Sequence, residues 1–260
     1  MRLTGRVALI TGGTQGIGRG IALRLAKEGA DLVVAGRDHD DSSKETAELL
    51  RAEGHRLHVV AGDIANLEVC KRLVDETLEQ MGQLDILINN AGVHSSAPFW
   101  DISEENYDLT MGVNLKAAFF ITQFFVRHVR EQQAQGAQRG GKVINISSVH
   151  EEMPFPRHTS YCISKGGLKM LTRNLAIELA PLGITVNNIA PGAIETPINQ
   201  DLLDDPNALS SLTNKIPLSR LGTPADVAGV AAFLASGEAD YVTGSTYYVD
   251  GGLLWNYSGQ

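Results

Sequence analysis

The chain has 260 residues, 43% hydrophobic and 20% charged, which is ordinary for a globular domain and enough to bury a large core. Its formal net charge of −8 disfavours nucleic acid and anionic membrane surfaces, whose phosphates repel it. Cys70 and Cys162 form neither a disulfide framework nor a metal-ligand spacing, and no apolar run reaches the ~18 residues of a membrane span, so a cytoplasmic chain with no metal site is expected.

Short apolar runs at 7–10, 32–35, 57–61, 86–88, 143–146, 184–189 and 246–249 read as strands. Most lack polar alternation, as parallel strands covered on both faces do. After the first run, Ile17, Ile21, Ala22 and Leu25 recur at helical spacing, and Gly29 closes that helix. Further helices are predicted at about 41–53, 66–81, 103–130, 160–180 and 224–235. The polar, glycine-bearing stretch 131–141 reads as a surface loop. The strand–helix alternation predicts right-handed βαβ units in an α/β, doubly wound, parallel seven-stranded sheet (Rossmann-like) with helices on both faces. One domain over 1–260 is expected, with a lid at about 192–217, because ligands in open α/β sheets bind beyond the carboxyl ends of the strands.

The sequence TGGTQGIG at 11–18 lies between the first strand and the first helix. Glycines there let the backbone approach a pyrophosphate, and the helix N-terminus offers free N–H groups. The spacing, Gly12-x-x-x-Gly16-x-Gly18, also suits a plain tight connection. The second strand ends at Gly36, Arg37 and Asp38. Arg37 can receive a ribose 2′-phosphate through its planar fork or stand as a solvated arginine. Asp38 lies beyond the position where a carboxylate would meet the 2′-hydroxyl. NADP is the expected cofactor, with NAD as the other choice. Asp63 reads as a helix N-cap or as a partner of the adenine amino group.

The ordered set of the glycine turn, Asp63-Ile64, NNAG at 89–92, Asn114, Ser147-Ser148, Tyr161-x-x-x-Lys165 and Pro191-Gly192 resembles the short-chain dehydrogenase/reductase family over essentially the whole chain. Cys162 departs from the small residue frequent after the tyrosine. A closer similarity, to the bacterial glucose 1-dehydrogenases of that family, rests on SSVHEEMPFP at 147–156, SKGG at 164–167 and PGAIETPIN at 191–199. His94 departs from the acidic residue expected there in some sugar-oxidising relatives. The resemblance implies an NAD(P)-dependent oxidoreductase acting on a sugar, polyol or carbonyl compound, and a homotetramer. It assigns Asn114, Ser148, Tyr161 and Lys165 to catalysis. It places Gly12, Thr14, Gln15, Gly16, Ile17, Gly18, Arg37, Asp63, Ile64, Asn90, Ala91, Gly92, Tyr161, Lys165, Pro191, Gly192, Ile194 and Thr196 around the cofactor. Ser148, His150, Tyr161, Asn199 and His94 are the substrate-side candidates. Trp255 and Tyr257 are expected to pack at an interface.

The expected reaction is oxidation of an aldose to a lactone. Carbonyl or 3-oxoacyl reduction uses the same apparatus, and a non-catalytic cofactor-binding protein would have lost part of it. Tyr161 and Lys165, four residues apart, share one helix face. Moving a tyrosine pKa from ~10 to ~7 takes roughly 4 kcal/mol. A cation ~4 Å away at an effective dielectric of ~20 supplies about that much. Lys165, aided by oxidised nicotinamide, is thus expected to bring Tyr161 near neutrality, while desolvation opposes it.

Overall fold

The computed structural model describes residues 1–137 and 140–256. Seven parallel strands, in the order β3-β2-β1-β4-β5-β6-β7, form one sheet. They are β1 Val7–Thr11, β2 Asp31–Gly36, β3 Leu57–Ala61, β4 Ile86–Asn89, β5 Gly141–Ile146, β6 Ile184–Pro191 and β7 Thr246–Val249. Every residue of β1 and β4 is buried, as the unbroken apolar runs require of central strands.

Nine α-helices cover the sheet among the described residues: α1 Gly16–Lys27, α2 Asp41–Arg51, α3 Leu67–Met81, α4 Glu104–Met111, α5 Ala117–Ala134, α6 Thr159–Glu178, α7 Gln200–Leu203, α8 Pro206–Thr213 and α9 Pro224–Ala235. On one face, Ile21 and Leu25 of α1 pack with Val227 and Ala231 of α9 over Ile10, Ile88 and Ile146. On the other, Leu73 of α3, Phe125 of α5 and Ala176 of α6 pack over Leu9, Leu87 and Val186. The doubly wound sheet inferred from the alternating runs is therefore the observed one.

Local chemistry sets the helix ends. Asp40, Asn66 and Ser103 accept from backbone N–H groups at the starts of α2, α3 and α4. Thr223 and Asp226 form a reciprocal capping box on α9, with Pro224 in its first turn. Gly29 follows α1 at φ 97°, the left-handed backbone that ends a helix.

Two predicted boundaries differ. The single helix expected at 103–130 is interrupted by a π-helical turn, Gly112–Lys116, and continues to Ala134. The loop expected at 131–141 thus begins later, because Val129 still packs in the core and the polar residues after it extend the exposed face. Residues 138 and 139 of that stretch, and Tyr257, lie outside the described residues. The helical stretch Glu104–Ala134 is long and apolar enough to cross a membrane by composition alone. Its buried side chains Ala117, Ile121 and Phe125 lie in the core over the sheet, the position of a core helix.

A buried polar rung ties the helices to the strand ends. Asn89 Nδ2 donates to Thr122 Oγ1 at 3.0 Å and to Asn145 Oδ1 at 2.8 Å, and Asn145 Nδ2 donates to Thr172 Oγ1 at 2.9 Å. This chain fixes α5 and α6 against the carboxyl ends of β4 and β5.

Candidate active site

The glycine turn leaves β1 at Thr11 and enters α1 at Gly16. Gly12 has φ 61°, and a Cβ added there would lie 2.9 Å from Ala91 Cα. Asn90 Nδ2 donates to the carbonyls of Thr11 and Gly12, both at 2.9 Å. The amides of Asn90 and Ala91 donate to Thr11 Oγ1 at 3.0 and 3.1 Å. The NNAG segment thus clamps the turn. Thr11, the centre of that clamp, opens the TGGTQGIG turn but was not among the site residues expected from the sequence.

The start of α1 is prepared for an anion. Gln15 makes no side-chain cap, and the first turn holds no acidic residue, as at α5 and α6 and unlike α2, α3, α4, α8 and α9, which are capped by side chains. Free N–H groups at a helix N-terminus suit a pyrophosphate, so these residues fit a dinucleotide. Gln15, Gly16 and Arg19 face Glu195 and Pro197 across a cavity of about 530 Å³. A Cβ on Gly16 would meet Thr196 Cγ2 at 3.3 Å. Thr14 is buried behind the turn, and its carbonyl accepts from Thr46 Oγ1 at 2.6 Å. Ile17 packs partly buried against the core.

Other cofactor-side candidates surround this turn with differing availability. Arg37 is exposed beyond β2, and its Nε donates to Asp38 Oδ2 at 3.1 Å. Asp63 Oδ1 accepts from Ala65 N at 2.9 Å in a local turn, while Asn66 supplies the α3 cap. Ile64 packs partly buried against the core. Pro191 ends β6, and Gly192 N donates to Val249 O at 3.0 Å. The Ile194 side chain is buried in the core, so only its backbone is available to a ligand. Asn199 Nδ2 donates to Ile194 O at 2.8 Å, which holds it within its own loop.

Four candidates for the chemistry converge where β4 and β5 end. Ser148 caps a 3-10 turn, Val149–Glu151, its Oγ accepting from His150 N at 3.2 Å. Tyr161 faces Ser148, which acts to lower the pKa of its hydroxyl. Lys165, one turn along α6, places Nζ 5.5 Å from the Tyr161 ring centroid and donates to Ile146 O at 2.9 Å. Asn114 lies in the π-helical turn. Its Oδ1 accepts from Val93 N at 2.8 Å, and its Nδ2 donates to Val93 O at 2.9 Å and Ser164 Oγ at 3.1 Å. Between them is Gly92, where a side chain would meet Asn114 Oδ1 at 3.5 Å and Lys165 Nζ at 3.7 Å.

The electrostatics qualify the expectation for Tyr161. Burial raises its pKa, and Ser148 pulls the other way without cancelling it. Burial also lowers the Lys165 ammonium to about 8, against the pull of Glu151. In the protein alone, Lys165 therefore does not bring Tyr161 near 7; desolvation is the larger effect.

An aromatic cluster borders Tyr161. His150 and Phe155 stack with ring centroids 4.2 Å apart, and Phe155 and His158 stack at 3.9 Å, both pairs 5° from parallel. His150 meets the Tyr161 ring edge-on at 6.2 Å, and His94 does so at 6.0 Å. His94 Nε2 also lies 3.3 Å from Ile198 O, in the loop after β6. Sequence reasoning reached His94 and His150 but missed Phe155 and His158. His158 immediately precedes the helix carrying Tyr161, and that adjacency was the available signal.

The family model described as enoyl-(acyl carrier protein) reductase matches residues 12–254. The glucose 1-dehydrogenase of Gluconobacter oxydans is 38% identical over 252 residues, covering 97% of this chain and 93% of that protein. The 3beta-hydroxysteroid dehydrogenase 1 of Eggerthella lenta is also 38% identical, over 96% of this chain and 94% of that protein. A gluconate 5-dehydrogenase from Burkholderia cenocepacia, solved with NADP and tartrate, superposes with a TM-score of 0.89 at 36% identity, covering 97% of this chain and 96% of that chain.

Proposed function

The chain belongs to the short-chain dehydrogenase/reductase family and is an NAD(P)-dependent oxidoreductase acting on CH–OH groups; from that premise we propose that it oxidises an aldose to its lactone, preferring NADP to NAD. The observation that carries the sugar reading is the wiring of two imidazoles beside Tyr161. His150 Nδ1 lies 3.0 Å from Met153 O, and His158 Nδ1 lies 3.2 Å from Pro156 O. A carbonyl only accepts, so each Nδ1 is assigned the proton and each Nε2 is left as an acceptor. Burial lowers both histidine pKa values, which favours the neutral rings. A polyhydroxylated ring offers several O–H donors to such nitrogens. Sugar dehydrogenases among the relatives support the same reading.

In this mechanism a bound dinucleotide would supply a hydride acceptor for the carbon bearing the reacting hydroxyl. The N-terminus of α1 and the NNAG-clamped turn would hold its pyrophosphate. Ser148 holds the substrate oxygen, and Tyr161 takes the hydroxyl proton as general base. Lys165 supplies positive charge beside the phenolate that this requires. Asn114 fixes the Val93 backbone and α6 in place around them. The loop and short helices over 192–217 close over the substrate.

A panel of aldoses, polyols and ketones assayed with both cofactors tests the reading. Turnover of at least one aldose is expected, and turnover confined to ketones or steroids would overturn it. The cofactor assignment rests on Arg37, exposed at the end of β2. Arg37→Asp should lower the kcat/KM ratio of NADP to NAD by about 10–100-fold, the worth of a charged hydrogen bond of roughly 1.5–3 kcal/mol. An unchanged ratio would remove Arg37 from the 2′-phosphate site. The proposed assembly is a cytoplasmic homotetramer. Exposed Phe119 of α5, and Ile163, Met170 and Ile177 of α6, favour a covered helix face; sedimentation equilibrium giving a monomer would reject it.

A further inference from the structure

The chain between Ser148 and Tyr161 folds so that three rings lie in one pile. His158 N donates to Phe155 O at 3.0 Å, closing a turn that brings residues 155 and 158 side by side. Pro156 has its φ fixed by its own ring, and Arg157 takes φ 72° at the next position, where a type II turn ordinarily has glycine. A non-glycine residue in that region costs energy and persists only where its surroundings hold it. Here Ala97 N donates to Arg157 O at 2.9 Å, and Arg157 Nε donates to Ser96 Oγ at 3.3 Å. Phe155 consequently stacks on His158 at 3.9 Å and on His150 at 4.2 Å, each pair 5° from parallel. Two rings at those distances cannot share one face, so the imidazoles cover both faces of Phe155. The backbone under each imidazole is fixed separately. His158 O accepts from Cys162 N at 3.0 Å in the first turn of α6. His150 precedes Glu151, whose buried carboxylate accepts from Asn188 Nδ2 of β6 at 2.6 Å and from the Tyr248 hydroxyl of β7 at 3.2 Å, and lies 3.8 Å from Lys169 Nζ of α6.

We infer that Phe155 is a positioning residue, the middle plate that holds the His150 and His158 imidazoles parallel and so sets the affinity for a polyhydroxylated substrate. Packing of the fold does not account for this ring: Phe155 is 39% exposed and belongs to neither hydrophobic cluster of the core. Each imidazole turns Nδ1 onto a carbonyl of its own loop, Met153 O or Pro156 O. The freedom left to each ring is rotation about its side-chain bonds, and a flat neighbour restricts that rotation more than an aliphatic chain does. Acceptors ordered before the substrate arrives lose less freedom when it binds. The stack also stands beside the chemistry, because His150 meets the Tyr161 ring edge-on. His94 and Arg157 are the charged or titratable groups that bear on His158, and His158 bears on His150.

The inference rests on reading the two imidazoles as acceptors for sugar hydroxyls, and its test has a readout apart from turnover. Phe155→Leu removes the flat ring, and Phe155→Tyr keeps it. With the best substrate of the panel, Phe155→Leu should raise KM about tenfold, the worth of one ordinary hydrogen bond. It should leave kcat within about threefold, because the lost binding is shared by ground and transition states. Phe155→Tyr should keep both constants near wild type. In the absence of substrate, both imidazoles are titrated by NMR, their resonances identified by loss in His150→Gln and His158→Gln. Both midpoints should rise toward the ordinary histidine value in Phe155→Leu and stay put in Phe155→Tyr, since the ring contributes to the burial that lowers them. An unchanged KM or unmoved midpoints in Phe155→Leu, or losses as large in Phe155→Tyr, overturn the inference. Wild-type turnover confined to ketones or steroids would instead overturn the sugar reading; the titration still decides the role of Phe155, because it involves no substrate.

Discussion

Tyr161→Phe is expected to lower kcat/KM by about 10²–10⁴-fold, the range for loss of a general acid–base group, while dinucleotide binding changes less than about twofold. Phenylalanine keeps the ring that meets His94 and His150 edge-on and that Lys165 approaches at 5.5 Å. It removes only the hydroxyl on which Ser148 acts. Because packing is conserved, a large loss in turnover is attributable to the proton. Steady-state kinetics beside a fluorescence titration of NADPH separates the two quantities. Turnover within tenfold of wild type would defeat the assignment of Tyr161 as the general base. The same chemistry gives the wild-type profile a sign. A base must lose its proton before it can accept one, and burial raises the Tyr161 pKa, so oxidation should accelerate as pH rises.

Gly18→Ala should have a comparable effect by a different route. A Cβ at Gly18 would lie 2.0 Å from Gly12 O and 2.5 Å from Asn90 Nδ2. Neither atom can retreat cheaply, since Asn90 clamps the turn through the carbonyls of Thr11 and Gly12. Either α1 moves away from β1 or the clamp breaks, and both displace the N–H groups at the helix start. At the upper end of the about 1–3 kcal/mol typical of overpacking, NADPH affinity should fall by about 100-fold. Calorimetry against NADPH, with a thermal melt as the folding check, reads this directly. Wild-type affinity in a folded Gly18→Ala protein would show that the close approach is not needed for binding.

The fold was legible because parallel strands covered on both faces leave uninterrupted apolar runs. The 7–10 and 86–88 segments became the fully buried β1 and β4. Tyr161 and Lys165 were legible because helix periodicity converts a four-residue spacing into one face. The π-helical turn around Asn114 was not, since one extra residue per turn leaves no compositional mark. Nor was the His150–Phe155–His158 stack, which depends on a loop conformation between two prolines. Arithmetic on one ion pair also overstated Lys165, because its own desolvation cannot be read from its neighbours in sequence. Glu151 was hidden for the same reason: Asn188, Tyr248 and Lys169 come from three other elements, and a glutamate in a polar stretch looks solvated until those elements close over it.

The last of those elements gives the site a temporal order. Tyr248 reaches Glu151 from β7, which follows every other strand in the chain and pairs only with β6. In a polypeptide made from its amino end, 83 residues (248 − 165) separate Lys165 from Tyr248. At about 5–20 residues per second, translation of that interval takes roughly 4–17 s. Throughout it, Ser148, Tyr161 and Lys165 have been synthesised while the Glu151 carboxylate still lacks its β7 donor. The nascent chain therefore carries its reacting groups before β7 can close over Glu151.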